Sequence, residues 1–132
     1  MIRTITLTAI AALSLTACAH AAAPRQTALH DTNWKIVRID GKAPASERAA
    51  IRFTQDRLSA TVGCNGQGGT WRIEQGKLVG GPYMSTMMYC DGLMEQERAL
   101  ADLLGAKPSV DVTGGTLTLR SKDHVIEARR VR

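Results

Sequence analysis

Nowhere does the sequence carry an apolar run long enough to cross a membrane as a helix, which takes roughly 20 residues. The longest uncharged stretch of that kind, Ile5 to Leu15, falls short. Metal-ligand clustering is missing as well: His20, His30 and His124 are scattered, and no pair has metal-binding spacing. Cysteine is scarce, with 3 residues and no C-x-x-C arrangement. Charge is only mildly one-sided, 17 Lys and Arg against 12 Asp and Glu for a formal net charge of +5, which is far from a nucleic-acid-binding composition. Ser85 and Thr86 have no nearby histidine in sequence. A triad assembled in space stays open, but no catalytic constellation is legible. The expectation is therefore a non-enzyme with no cofactor, no metal site and no nucleic-acid partner.

What is present begins with an export signal. Arg3 and the amino terminus form a short positive region, and the apolar stretch to Leu15 follows. A short apolar run between a positive start and small residues is a secretory signal, not a stable span. It ends in Leu15-Thr16-Ala17-Cys18, which resembles the bacterial lipobox. On that reading residues 1–17 are removed, Cys18 is lipidated, and residues 18–30 form a flexible tether. Ala19 after the cysteine, where an Asp would retain the protein elsewhere, favours the periplasmic face of the outer membrane. The competing site Ala19-His20-Ala21 fits ordinary cleavage and would release a soluble periplasmic protein. Loss of Arg3 takes the charge from +5 to +4. Residues 31–132, about 100 residues, suit one domain with one core.

With Cys18 reserved for lipid, Cys64 and Cys90 remain as a pair. In an oxidising compartment a structural disulfide is the simplest reading; two buried thiols and a redox pair are the alternatives.

The coarse pattern is strands, a helix, then strands. Asn33–Ile39 is a strand candidate, closed by Asp40-Gly41. Ile51 and Phe53 alternate with Arg52 and Thr54, and Leu58, Ala60 and Val62 with Ser59 and Thr61, the period of half-buried strands. The glycine-rich segment 63–69 lacks the Lys-Ser/Thr ending of a phosphate loop and reads as a turn. Thr70–Glu74 and Lys77–Val79 are further strands. Asp91–Gly105 is the one helix, with Asp91 as N-cap, Gly105 as a left-handed end and Leu93, Leu100, Leu103 and Leu104 as its apolar stripe. Glu97 is assigned to its wet side. Ser109–Val112, Thr116–Arg120 and His124–Val131 complete the strands. The last carries Arg129, Arg130 and Arg132, a charge-guarded edge or a contact for lipid phosphates.

Several of these features resemble the META/HslJ family of small bacterial envelope proteins, across about residues 30–132. Asn33-Trp34-Lys35-Ile36 is similar to its opening strand, Gly63-Cys64-Asn65 to its GCN turn, Thr86-Met87-Met88-Tyr89-Cys90 to its T-x-M-A-C motif, and Gly115–Leu119 to its final G-x-L-x-L. Trp71 replaces the usual tyrosine and Tyr89 the usual alanine. The resemblance implies an α+β fold, an antiparallel and partly open, or split, β-barrel with one main helix packed against it. It also implies a link to heat shock, antibiotic tolerance or envelope stress.

The leading expectation is a monomeric envelope lipoprotein held to the membrane at Cys18 and binding an envelope protein. The alternative is a small-ligand or acyl-chain carrier whose pocket is formed by Trp71, Tyr83, Met84, Met87, Met88 and Tyr89, with core filling as the plainer role of those methionines. An inhibitor acting through the exposed loop 63–69 is a third reading.

Overall fold

Alternating burial sets the strands. In the computed structural model, which describes residues 22–132, β1 (Thr32–Ile39) buries Trp34, Ile36 and Ile39 and exposes Asn33 and Lys35. β2 (Ala50–Phe53) and β3 (Arg57–Thr61) form a hairpin with Ile51, Phe53, Leu58 and Ala60 inward. β4 (Gly66–Glu74) and β5 (Lys77–Gly80) turn at Gln75-Gly76, where both residues take positive φ. A two-residue β6 (Met84–Ser85) precedes the main helix, and β7 (Ser109–Thr113), β8 (Thr116–Arg120) and β9 (Val125–Val131) form a meander after it. The expectations placed on residues 1–21, lipidation of Cys18 included, lie outside the described residues.

The strand order is β3-β2-β1-β9-β8-β7-β5-β4-β6, and β3 also pairs with β4. That second pairing closes eight strands into an antiparallel barrel, so the expected split is corrected to a closed ring. The narrowest seam lies between β5 and β7. It holds one register pair, Lys77 with Ser109, flanked by the Leu78 N–H to Pro108 and Val110 N–H to Gly76 bonds. Closure also changes the last strand: β9 pairs with both β1 and β8 and is no edge. Its Arg130 guanidinium lies 6.0 Å from the Trp34 ring centroid.

The interior is filled with side chains. Trp34, Phe53, Leu58, Leu78, Leu117 and Leu119 are essentially inaccessible to solvent. Burying each large apolar group is worth roughly 1.5–3 kcal/mol. Leu100, Leu103 and Leu104 of α2 (Met94–Gly105) join the same core. The helix starts at Met94, not Asp91, because Gly92 takes a positive φ of 75° and breaks the helical path. Leu93 at the N-cap makes no side-chain cap bond. At the other end Lys107, not Gly105, takes the left-handed conformation.

Two more expectations are corrected. Residues 22–29, expected to be part of a flexible tether, form helix α1 (Ala22–Leu29). Its docking explains why: Leu29 is fully buried, and Gln26 Oε1 accepts the Ile73 N–H of β4 at 2.6 Å. The glycines at 66, 68 and 69 belong to β4, not to a turn. Gly69 permits a close approach. A Cβ there would sit 2.9 Å from the Pro82 carbonyl oxygen and 3.0 Å from the Tyr83 ring.

Candidate functional site

The GCN turn links β3 to β4. Gly63 supplies a φ of 130°, and a Cβ there would strike Ser46. Beyond it the chain exposes two backbone N–H groups, of Cys64 and Asn65, at a partly covered position. Such donors need an acceptor. Glu97 of α2 provides it: its Oε1 accepts both at 3.1 Å, with the residue only 4% exposed. Gln67 closes the arrangement by donating from Nε2 to the Glu97 carbonyl at 3.4 Å. The placement of Glu97 on the wet side is thereby corrected. Its signal was present, because Leu93, Glu97, Leu100 and Leu104 share one helical stripe.

Asn65 does the corresponding work for the 84–90 loop. Its Oδ1 accepts the Thr86 hydroxyl at 3.0 Å and the Met88 N–H at 2.8 Å, while Nδ2 donates to the Met88 carbonyl at 3.0 Å. An amide with two acceptor lone pairs and two donors is the side chain that meets all three groups. The Thr86 hydroxyl also accepts the Gly66 N–H at 3.1 Å. Cys64 and Cys90 are joined by a disulfide, their Cα atoms 6.0 Å apart, which ties the far end of the loop to the same turn. The two cysteine-containing motifs are thus one structural unit held by the disulfide, an amide and a carboxylate.

This unit presents an apolar surface. Met84, Met87, Met88 and Tyr89 are 75%, 93%, 57% and 78% exposed. The six residues expected around a pocket therefore separate. Trp71 is in the core, its ring edge-on to Phe53 at 4.8 Å and its Nε1 donating to the Thr54 carbonyl at 3.1 Å. Tyr83 is half-buried against that core, and burial raises its phenol above the ordinary tyrosine range. The other four are exposed among the described residues, Met84 on β6, which pairs with β4 alone, and the rest in the loop that follows. None of the four belongs to the buried core.

A second feature adjoins the loop. Across the outer faces of β2, β3 and β4 runs a shallow trough, in two adjoining depressions of about 210 Å³ and 280 Å³. Both are lined by Arg52 and Ser59, the first also by Ala50, Thr61 and Gly66 and the second by Arg57 and Gly68. The trough exists because Gly66 and Gly68 carry no side chain on the outward face of β4.

The remaining polar cluster surrounds His124. Its Nδ1 lies 2.8 Å from Asp40 Oδ2 and its Nε2 3.8 Å from Asp102. Burial disfavours the charged form of Asp40, but the Val125 N–H, the His124 hydrogen bond and the charges of His124 and Lys42 outweigh it and hold its carboxyl below the ordinary aspartate value. The adjoining pocket, about 80 Å³, is lined by no hydroxyl or thiol. Among the described residues, no three His, Cys, Asp or Glu are grouped to hold a metal ion.

A family model, that of the META domain, matches residues 27–131. Among solved structures, an NMR structure of a protein superposes with a TM-score of 0.71 at 22% identity, covering 79% of this chain and 92% of the other. A second NMR structure, of a protein from Burkholderia xenovorans, gives a TM-score of 0.63 at 21% identity over 94% of this chain and 99% of that one. Both likenesses concern the fold. No curated protein matches the sequence significantly.

Proposed function

Because the chain belongs to the META domain family across residues 27–131, we propose that it is a non-enzymatic cell-envelope lipoprotein. In this reading Cys18 carries the lipid, the domain stands at the periplasmic face of the outer membrane, and it supports envelope integrity under heat or antibiotic stress by binding an envelope protein. The observation that carries the reading is the loop 84–89. Four large apolar side chains are exposed on a segment that Asn65, Thr86 and the disulfide hold rigid. A free surface rarely spends order on such a segment unless a partner covers it. An acyl chain carried inside the barrel is not proposed, since the core side chains occupy that space.

The test is complementation of a deletion strain under heat and cell-wall antibiotics. Wild-type protein should restore survival. Met87→Ser with Met88→Ser, and separately Cys18→Ala, should fail to do so at equal protein levels. Full rescue by both would refute the reading, and intact-mass analysis of the wild type would show whether Cys18 is acylated.

A further inference from the structure

The trough and the methionine loop form one surface. In the barrel register Arg52 is paired with Ser59, Ser59 with Gly68, and Gly68 with Met84. Directly paired residues of antiparallel strands point to the same face, and all four positions here are outward. Three strand spacings put Arg52 and Met84 roughly 14 Å apart on the same side of the sheet. Arg57 stands at the other end of the trough, paired with Thr70.

Charge indicates what this surface takes. Lys35, Arg38, Lys42 and Arg72 each have a carboxylate partner. Arg52 and Arg57, like Arg98, Arg120 and Arg129, have none among the described residues, but Arg52 and Arg57 line one trough, and no Asp or Glu lines it. Two unpaired guanidinium groups flanking an open channel are suited to carboxylates, which Arg binds in a two-point fork. Exposed Met and Tyr beside Arg is the composition enriched at protein interfaces. The channel is open and shallow, so it suits an extended chain and not a compact molecule.

The loop also lies apart from α1. Arg25 of α1 approaches Gly76, and Gln26 bonds Ile73, so the start of α1 lies toward the β4–β5 turn. Met84 lies beside Gly68, roughly 17 Å back along β4 at strand spacing.

We propose that the trough and the 84–89 loop bind an extended acidic segment of a protein, its carboxylates on Arg52 and Arg57 and its apolar side chains on Met84 and Met87. The inference rests on the functional reading above and names the chemistry of its partner.

The test uses the mature lipoprotein in neutral phosphatidylcholine nanodiscs, with empty discs as blank. The probes are a labelled ten-residue peptide of alternating Val and Glu, its Val–Lys counterpart, and phosphatidylglycerol vesicles. The Val–Glu peptide should bind, weaken with salt, and lose at least about tenfold in affinity in R52E/R57E and in M84S/M87S, with R52K/R57K losing less. Arg129→Glu, outside the trough, should stay within about twofold. Equal binding of the two peptides, or unchanged affinity in R52E/R57E, overturns the proposal. So does a stronger Arg52- and Arg57-dependent attachment to the vesicles, which would assign the surface to a membrane. A concentration-dependent dimer abolished by the same variants would assign it to a second copy and overturn the proposal as well. Circular-dichroism melts check folding. A deletion strain without a stress phenotype would sink the functional reading without altering these affinities, so the two failures are separable.

Discussion

Glu97 and Asn65 meet across the helix–sheet boundary: the Glu97 carboxylate accepts the Asn65 N–H at 3.1 Å, and the same oxygen accepts that of Cys64. Removal of that acceptor strands two backbone donors in a partly buried site. Glu97→Ala is therefore expected to destabilise the fold by about 2–4 kcal/mol. Glu97→Gln keeps an acceptor oxygen and should lose about half as much. Urea denaturation measures both, and a Glu97→Ala variant within about 0.5 kcal/mol of wild type would remove this role.

Asn65 holds the loop by three hydrogen bonds to Thr86 and Met88. Asn65→Ala should accelerate amide exchange at Met88 by at least about tenfold, while Ile36 and Leu117, in the barrel core, keep most of their protection. Exchange read by NMR or mass spectrometry decides it. Uniform loss of protection would mean that Asn65 stabilises the whole barrel instead.

The disulfide closes a separation of 26 residues. Replacing Cys64 and Cys90 with serine is expected to lower stability by roughly 3–4 kcal/mol in the chain-entropy model. The fold should survive, since Glu97 and Asn65 still hold the turn. Near-native strand content with a lowered urea midpoint is the predicted result, and a chain that never folds would contradict it.

Asp40 gives the fold a pH dependence. Its carboxyl is held below the ordinary value of 3.8 in the folded state. A depressed acid contributes stability that is present above its unfolded pKa and is lost as pH falls through the folded one. The loss therefore falls below about pH 4. Asp40→Asn should reduce stability at pH 7 and flatten the fall toward pH 3. Urea midpoints collected from pH 7 to pH 3 test the sign, and parallel curves for the two proteins would refute it.

The barrel strands are legible in residue order where one face is apolar. Ile51 and Phe53, Leu58 and Ala60, and Leu117 and Leu119 each mark a strand whose inward side follows from a period of two. The Leu100–Leu104 stripe marks α2 in the same way. β4 is legible only from Thr70, because Gly66, Gly68 and Gly69 carry no side chains to show a period; they are in a strand because β3 pairs with all three. β6, with two exposed residues, has no period at all.

Local pattern was thus enough to indicate a β-rich domain with one main helix, and the cysteine count made Cys64 and Cys90 candidates for the disulfide that the structure contains. Tertiary structure alone decided that the sheet closes, that Ala22–Leu29 docks as a helix, that Glu97 is buried, and that Met84, Met87, Met88 and Tyr89 are not. The physical reason is the same in each case. A side chain's own chemistry and its periodicity say which face it prefers, but its covering comes from distant segments. The backbone N–H groups that Glu97 accepts lie 32 and 33 residues away in the chain. Among the described residues, no such segment folds back over the exposed methionines.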